Sequence, residues 1–469
     1  TEDKKTLTAT FITEAITIDG KLDETIWQKS AIASQFTQIE PYNGKAASLE
    51  TKVYILFDER AVYIGAYIID PNPDSISIEL RSRDNAGTAD AFMVKIDPYN
   101  DGLLAYGFEV TASGVQIDMK TNSNNNDDLS WDAVWKSQTE ILADGWSVEM
   151  MIPYSALRFP KSDTQTWGIN FYRTIQRFRE TTSWNFIDVK SKSSINQSGQ
   201  LIINEVITPP LRLSATPYLS AITSHNSATN KWSNGYNYGM DMKLGLTESF
   251  TLDLTMIPDF GQVESDEIIY SLSPFEVYYD EKRPFFTEGT ELFSKGNVFY
   301  SKRIGATPDG YQQVNESYEP DEIKSNPANA QLINAAKLSG KTSDGLAIGV
   351  FNALTANTYA KVVGIEGIEK KILTEPLTNF NMLVFEQALP NNSQVSIYNT
   401  NVFKPETNYI ADVSGTDFGL RDRKNNYEFS GMLNVSQHYL PGISPEYGSR
   451  MVFDAAKING NFQADTWIN

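Results

Sequence analysis

The sequence has no cysteine among its 469 residues, and its only two histidines are His225 and His438. Without cysteine the chain can form no disulfide, no thiolate metal site and no cysteine nucleophile. Two histidines far apart in sequence argue against a multi-histidine zinc site. Long hydrophobic runs are also missing, because no stretch approaches the roughly 18 apolar residues of a transmembrane helix. Membrane-spanning β-strands stay possible, since they alternate in polarity and form no such runs.

Basic residues are scarce relative to acidic ones, with 39 Lys and Arg against 59 Asp and Glu and a formal net charge of -20. A nucleic-acid binder needs a basic face to neutralise phosphates, so we expect no nucleic-acid partner. The opening residues TEDKKTLTAT contain no apolar run, and we expect that any signal peptide has already been removed. The lack of cysteine suits an exported protein that crosses an oxidising periplasm.

The first 207 residues read as many short β-strands separated by turn residues. Segment 53–70 has two β-rich runs around the polar residues 58–60, which predicts a hairpin. A second pair of runs, within 91–119, surrounds Asp101-Gly102. No long βαβ unit is visible. Strands at this spacing predict an all-β fold that begins with a β-sandwich over residues 1–207.

Five segments of this first half together resemble family 9-type carbohydrate-binding domains. They are DGKLDETIW (19–27), the hairpin 53–70, DPYNDGLLAYGFEVTASGVQID (97–118), WDAVWKSQTEILADGWSVEMMIPYSALRF (131–159) and WGINFYR (167–173). The version they resemble stands at the N-terminus of an outer-membrane β-barrel family common in Bacteroidota. The resemblance implies a sandwich that binds a glycan, or a partner protein in a similar way.

Sugar-binding modules place aromatic rings against the apolar face of a pyranose and polar groups against its hydroxyls. Two tryptophans accompany the polar stretch NSNNNDDLSWDAVW, and three carboxylates lie beside them. The predicted ligand-binding cluster is Trp131, Trp135, Asp127, Asp128 and Asp132. The alternative is that one or both of these tryptophans are core residues, because tryptophan is usually buried. We expect three other tryptophans in the core: Trp27, Trp146 and Trp167.

The turn DPYNDG collects several hard oxygen ligands in a few residues. Calcium prefers such ligands, so Asp97, Asn100 and Asp101 form a candidate calcium site, and sandwiches of the type resembled here often hold one. The alternative is an ordinary β-turn, in which Asp and Asn are common for conformational reasons. The spacing does not match an EF-hand loop.

The second predicted domain begins at residue 208, where Pro209-Pro210 suits a stiff linker. The pattern of polar and apolar residues changes beyond this linker. In 236–247 every second residue is Tyr, Met or Leu, and the residues between them are polar or glycine. Segment 250–256 continues this alternation, with Thr251, Asp253 and Thr255 on its polar face. One apolar and one polar face fit a strand of an outer-membrane barrel, with lipid outside and a polar lumen inside.

The second half yields eleven predicted strands whose connections alternate in length. The strands are 211–220, 236–247, 250–257, 331–339, 346–354, 377–388, 394–403, 413–422, 427–437, 450–458 and 461–469. Short turns are predicted at 248–249, 340–345, 389–393, 423–426 and 459–460, and longer loops at 221–235, 258–330, 355–376, 404–412 and 438–449. Outer-membrane barrels have short periplasmic turns and longer outside loops, so the alternation predicts the first part of an antiparallel transmembrane β-barrel over 208–469.

The same family resemblance continues through this second half. It is carried by FTLDLTMIPDFGQVESD (250–266), EKRPFFTEGTELF (281–293), FYSKRIG (299–305) and INAAKLSGKTSDGLAIGVFNALT (333–355). Bacterial single-chain barrels close with an even strand count, so eleven strands predict a barrel that is incomplete within these residues. The insert 258–330 is expected either to fold into the lumen as a plug or to cap the surface.

These observations leave several functions open. The leading one is an outer-membrane protein with a periplasmic glycan-binding domain and a barrel that is a channel, an anchor or a subunit of an outer-membrane complex. Outer-membrane lipid is then a partner. The second is a membrane-associated polysaccharide hydrolase, with candidate carboxylates at Glu276, Asp280, Glu281, Glu288 and Glu291. The third is a structural role in which the sandwich has lost its sugar site. Nucleophile elbows, P-loops and HExxH motifs are absent from the sequence.

Overall fold

A computed structural model describes residues 4–129, 131–191, 193–207, 212–226, 231–247, 249–258, 278–279, 281–287, 289–364, 367–423, 427–457 and 463–468. Most of these residues lie in β-strands, as the sequence predicts. Two short α-helices occur among them, α1 (Pro284–Thr287) and α2 (Tyr311–Ser317). No helix in this described part combines the length and the hydropathy that a bilayer crossing requires.

The first domain is a sandwich of two sheets. Its strands are β1 (Thr6–Thr8), β2 (Thr10–Phe11), β3 (Ile32–Ala33), β4 (Thr37–Glu40), β5 (Thr51–Phe57), β6 (Ala61–Ile69), β7 (Ala91–Asp97), β8 (Leu104–Thr111), β9 (Gln116–Asn122), β10 (Asp127–Asp128), β11 (Lys136–Leu142), β12 (Gly145–Pro153), β13 (Gln165–Ile175), β14 (Glu180–Ser183) and β15 (Gly199–Ile203). One sheet runs β1-β15-β13-β7-β8-β9-β10 with β4 and β14 alongside, and the other runs β11-β12-β6-β5-β2 with β3.

The sandwich core explains why these segments form strands. The predicted hairpin is β5 and β6, paired in antiparallel register with Val53 opposite Ala66. Alternate residues of the two sheets turn inward and form one apolar cluster that contains Trp146 and Trp167. Trp27 lies in a second, smaller cluster against the same sheet as β5. The expectation that these three tryptophans are core residues is confirmed.

The described residues of the second half form two sheets, and the larger one is an antiparallel sheet of eleven strands. The strands of both sheets are β16 (Leu213–Asn226), β17 (Lys231–Gly245), β18 (Phe250–Met256), β19 (Ile323–Ser325), β20 (Leu332–Lys341), β21 (Leu346–Thr355), β22 (Thr358–Val363), β23 (Glu369–Glu375), β24 (Thr378–Leu389), β25 (Ser393–Lys404), β26 (Tyr409–Arg421), β27 (Tyr427–Tyr439), β28 (Glu446–Lys457) and β29 (Gln463–Ile468). The large sheet runs β16-β17-β18-β20-β21-β24-β25-β26-β27-β28-β29, and β19, β22 and β23 form a small separate sheet. All eleven predicted strands are present, in the predicted order, and among the described residues no pairing joins β16 to β29.

Connection lengths follow the prediction at one end of the sheet but only in part at the other. The two longest connections, between β18 and β20 and between β21 and β24, are long as expected. The predicted long loops 221–235, 404–412 and 438–449 are wrong. Strand pairing continues through most of the first two and into both ends of the third, which leaves a short connection between β27 and β28. His225 still pairs with Trp232, for example. Backbone hydrogen bonding does not depend on apolar alternation, so a polar hairpin can extend well beyond the apolar part of its strands.

The two faces of the large sheet have an unusual polarity. We call the face that carries Asp253, Lys337 and Glu386 the inner face, and these charged side chains are 6%, 2% and 7% exposed. The opposite, outer face carries Leu383 and Ile397, which are 40% and 62% exposed. Polar residues are therefore buried and apolar residues exposed, the reverse of a sheet that meets water.

Side chains from residues 285–299 of the long insert pack on the inner face. Phe286 and Phe293 of the insert pack against Phe351 of β21. Their ring centroids lie 6.1 and 5.9 Å, respectively, from the ring centroid of Phe351. Lys337 of β20 donates a hydrogen bond of 2.7 Å to the carbonyl of Phe285. This part of the insert therefore packs on the inner face of the sheet, the position that the plug alternative requires, and the plug itself stays a prediction. The later part, through β19, pairs with β22, which in turn pairs with β23, at the long-loop end.

Candidate functional site

The candidate site is a cavity of about 680 Å³ between the sandwich and the inner face of the large sheet. This volume lies in the usual range of small-molecule sites. One wall comes from β8, β9 and the turns beside them, and the other from the insert and the inner faces of β20, β24 and β26–β28. The cavity lies at the end of the sheet where the short turns are, because its lining includes residues 339–341 just before one such turn.

The domain-side wall is a rigid polar turn that follows β9. The side-chain Oδ1 of Asn122 accepts hydrogen bonds from the backbone N–H groups of Asn124 and Asn126, at 2.9 and 3.1 Å. A side chain that binds its own downstream backbone in this way fixes the turn. The side chains of Asn124 and Asn126 line the cavity and form no hydrogen bond with any residue in the described part of the chain.

The insert-side wall is anchored by charge and close packing. Lys295 forms an ion pair with Glu386 of β24. Gly296 next to it has φ +64°, and a Cβ added there would lie 2.1 Å from the hydroxyl oxygen of Tyr398. That conformation and that space suit glycine alone. The next residue, Asn297, also has a positive φ, of 51°, and its exposed side chain lines the cavity.

A buried ion pair joins the two walls. Lys120 of β9, which is almost fully buried, contacts the carboxylate of Glu291 in the insert. Burial alone would raise the pKa of Glu291. The charge and hydrogen bond of Lys120, together with the more distant charge of Arg158, outweigh that effect and lower its pKa to about 2. Glu291 is therefore a carboxylate at neutral pH and ties the insert to the sandwich.

Further polar contacts close the same junction. Lys341 at the end of β20 pairs with Asp101. The hydroxyl of Tyr99 donates a hydrogen bond of 3.0 Å to the carbonyl of Lys341, and Arg158 donates one of 3.0 Å to the hydroxyl of Ser339. The sandwich is thus held against the short-turn end of the large sheet.

The predicted aromatic cluster is not a stacking surface. Trp131 and Trp135 are each only 6% exposed and belong to the sandwich core. The Trp131 ring lies 5.1 Å from that of Tyr106, and the Trp135 ring lies 5.3 Å from that of Phe108. The prediction of exposed rings is wrong, because both sheets close over them and leave no free face for a sugar.

The predicted carboxylates separate into different environments. Asp127 pairs with Lys95 at 2.9 Å, and exposed Asp132 lies 3.3 Å from Arg83. Asp128 alone among them lines the cavity. Part of the polar stretch thus reaches the cavity, whereas the two tryptophans do not line it. The two tyrosines at the cavity, Tyr99 in the DPYNDG turn and Tyr106 in β8, carried no distinguishing signal in the sequence.

The candidate calcium turn satisfies its carboxylates from within the protein. Asp97 accepts hydrogen bonds from the backbone of Tyr99 and Gly102, at 3.2 and 2.8 Å. Burial, with the nearby charge of Asp101, raises the pKa of Asp97 to about 7. Asp101 itself binds Lys341, and Asn100 has the positive φ of 50° that is typical of a turn. These contacts do not fit a cation site, and calcium binding here stays a prediction.

The carboxylates considered for hydrolysis form no pair in the described residues. Glu281 binds Arg283 at 2.7 Å, and Glu291 binds Lys120. Glu276, Asp280 and Glu288 lie outside the described residues. In the parts of the chain that can be searched, no group of three or more His, Cys, Asp or Glu side chains is arranged to hold a metal ion.

Comparison with known proteins finds a matching family model for each half of the chain. A family model described as Domain of unknown function (DUF5916) matches residues 209–468. A second, described as Carbohydrate family 9 binding domain-like, matches residues 18–184. The first domain is therefore similar to family 9 carbohydrate-binding domains. No curated protein sequence matches the chain.

Several solved structures are similar to parts of the chain. A family 9 carbohydrate-binding module from Caldicellulosiruptor kristjanssonii in complex with cellotriose is 17% identical, with 43% of this chain and 94% of that chain covered and a TM-score of 0.30. A putative carbohydrate-binding protein from Bacteroides uniformis is 15% identical, with 43% and 100% covered and a TM-score of 0.36. A loop-deletion mutant of OmpT, an outer membrane protein of Vibrio cholerae, is 10% identical, with 52% and 86% covered and a TM-score of 0.21.

Proposed function

We propose that this chain, which belongs to the family described as Domain of unknown function (DUF5916), is an outer-membrane β-barrel protein whose periplasmic domain binds glycans. The single observation that supports the membrane part is the polarity of the large sheet. The charged side chains of Asp253, Lys337 and Glu386 are buried on the inner face, and apolar side chains such as Leu383, Phe385 and Ile397 are exposed on the outer face. In water this arrangement would be unfavourable on both faces, whereas acyl chains outside and a plug inside satisfy both.

The side of the membrane follows from the contacts of the sandwich. The sandwich meets the large sheet at residues 339–341, and Ser249 in another short turn donates a hydrogen bond of 3.1 Å to the carbonyl of Phe159. Short turns face the periplasm in outer-membrane barrels. The proposal therefore places the first domain in the periplasm and the long connections at the cell surface.

Glycan binding is proposed from the family 9 similarity of residues 18–184 and from the polar cavity beside that domain. Glu291 is unsuited to be the acid of a glycosidase, because such an acid needs a protonated carboxyl group and the pKa of Glu291 is held at about 2. Passage of a glycan through the sheet interior and assembly with other outer-membrane subunits are further roles that the proposal allows.

The membrane part is tested by producing the full chain in a Gram-negative bacterium and separating its membranes. We expect it in the outer-membrane fraction, resistant to alkaline carbonate and released by detergent. Added protease should cleave the sandwich only after the outer membrane is permeabilised. Release by carbonate alone would contradict the barrel, and cleavage of the sandwich in intact cells would contradict its periplasmic side.

The glycan part is tested with the same chain in detergent on a glycan array. Binding of at least one class of glycan, competed by the free sugar, is the expected result. A chain that folds but binds none of them would favour the structural alternative, in which the fold is kept without a sugar site.

A further inference from the structure

We infer that the glycan site is the cavity shared by the sandwich and the plugged sheet, and that it takes an uncharged oligosaccharide. This inference rests on the proposed glycan binding and deepens it. The inferred site is not an aromatic platform on the sandwich surface. Both halves of the chain form it, and neither half can form it alone.

The cavity offers the kind of groups that a hydroxyl-rich ligand needs. The amides of Asn124, Asn126 and Asn297 line it without side-chain partners in the described part of the chain. An amide supplies two donors and an acceptor, which matches adjacent sugar hydroxyls that both donate and accept. Two of these amides stand on the sandwich turn and one on the insert, so a ligand that binds all three spans the junction.

The turn geometry makes this polar wall preorganised. The side chain of Asn122 holds the backbone of the turn in place. The side-chain amides of Asn124 and Asn126 therefore project from a fixed backbone. On the opposite side, Gly296 and Tyr398 fix the insert beside Asn297. Rigid walls lower the entropy lost on binding, so weak individual hydrogen bonds can add up to useful affinity.

Charge selects against acidic sugars. Six carboxylates line the cavity, from Asp101, Asp128, Glu291, Glu386, Asp417 and Asp454, against four cations, from Lys120, Arg158, Lys295 and Lys341. Three of the four cations are already paired with these carboxylates. A bound uronic acid would therefore face a net negative cavity lining whose lysines are already paired with carboxylates, so its charge would be repelled. A neutral sugar carries no charge to be repelled.

The test measures binding of neutral hexose trisaccharides, and of uronic-acid trisaccharides of equal length, to the full chain in detergent by calorimetry. The variants are the double change Asn124→Ala with Asn126→Ala, and Asn297→Gly, in which glycine keeps the positive φ. Asn72→Ala, exposed on the same domain and outside the cavity lining, is the matched control. Unfolding midpoints are compared to separate binding from stability.

We expect both cavity variants to raise the Kd for the neutral sugar about tenfold at unchanged stability, since each removes hydrogen bonds to the ligand. The control should match the parent, and uronic acids should bind more weakly. If neutral sugar binds and neither cavity variant weakens it, the cavity is not the site, although glycan binding stands. Loss in the sandwich variant alone would overturn the shared site, and tighter uronic-acid binding would overturn the charge argument. A parent chain that binds no glycan at all would instead refute the proposed function.

Discussion

Replacing Leu383 with arginine tests whether the outer face of the large sheet contacts lipid or water. Leu383 lies in the middle of β24 on the outer face and is 40% exposed, between Met382 and Val384 on the inner face. If the outer face meets acyl chains, the guanidinium loses its hydration, and the cost near the middle of a bilayer is about 2–4 kcal/mol. If the face meets water, a surface change of this kind alters stability by less than about 0.5 kcal/mol. The two cases differ by at least a factor of about ten in the folding equilibrium.

The position along the strand provides an internal control. Leu389, on the same face, lies at the short-turn end of β24, where the cost should fall to about 0–1 kcal/mol. Leu80 of the sandwich is 76% exposed, and its replacement by arginine should have no measurable effect. The assay is reversible denaturant unfolding of the chain inserted in phospholipid vesicles. Equal and small effects at Leu383, Leu389 and Leu80 would refute the membrane interpretation.

Three further predictions follow from the packing and the charges. Trp135→Ala should cost about 3–5 kcal/mol in denaturant unfolding, because it opens a cavity in the sandwich core; an unchanged stability would contradict its burial. The pair of Glu291 with Lys120 should stabilise the junction above pH 4.5, and this contribution should disappear as the pH falls toward about 2, since folding lowers the pKa of Glu291. The urea midpoint should show that loss in the parent and not in Glu291→Gln. Gly296→Ala should destabilise the insert by about 1–3 kcal/mol through overlap with Tyr398, seen as faster limited proteolysis, and an unaltered cleavage rate would count against the packing.

The clearest strands of the large sheet could be predicted because polar and apolar side chains alternate along them, as they do in β17 and β18. In β24 buried and exposed side chains alternate only from Met382 to Glu386. The hairpin that continues to His225 and Trp232 could not be predicted, since its polar residues give no alternation. Strand ends that lie beyond an apolar region are set by backbone pairing, which leaves little trace in the sequence.

The candidate site was predicted only in part, for a similar reason. The polar stretch after β9 was recognised from its composition, and Asp128 within it does line the cavity. The burial of Trp131 depends on how two sheets close over it, and composition carries no information about that. The contact of Lys120 with Glu291 joins residues 171 positions apart, which only the folded chain reveals.

The central claim is tested most directly at single cysteines, which can be labelled uniquely because the chain has none of its own. Spin labels at positions 382–385 of β24, in the chain reconstituted in bilayers, report collisions with oxygen in lipid and with a water-soluble nickel complex. Positions 383 and 385 should be accessible to oxygen and shielded from nickel, while 382 and 384, beneath the insert, should be shielded from both. Strong nickel accessibility at 383 and 385 would contradict a lipid-facing outer surface.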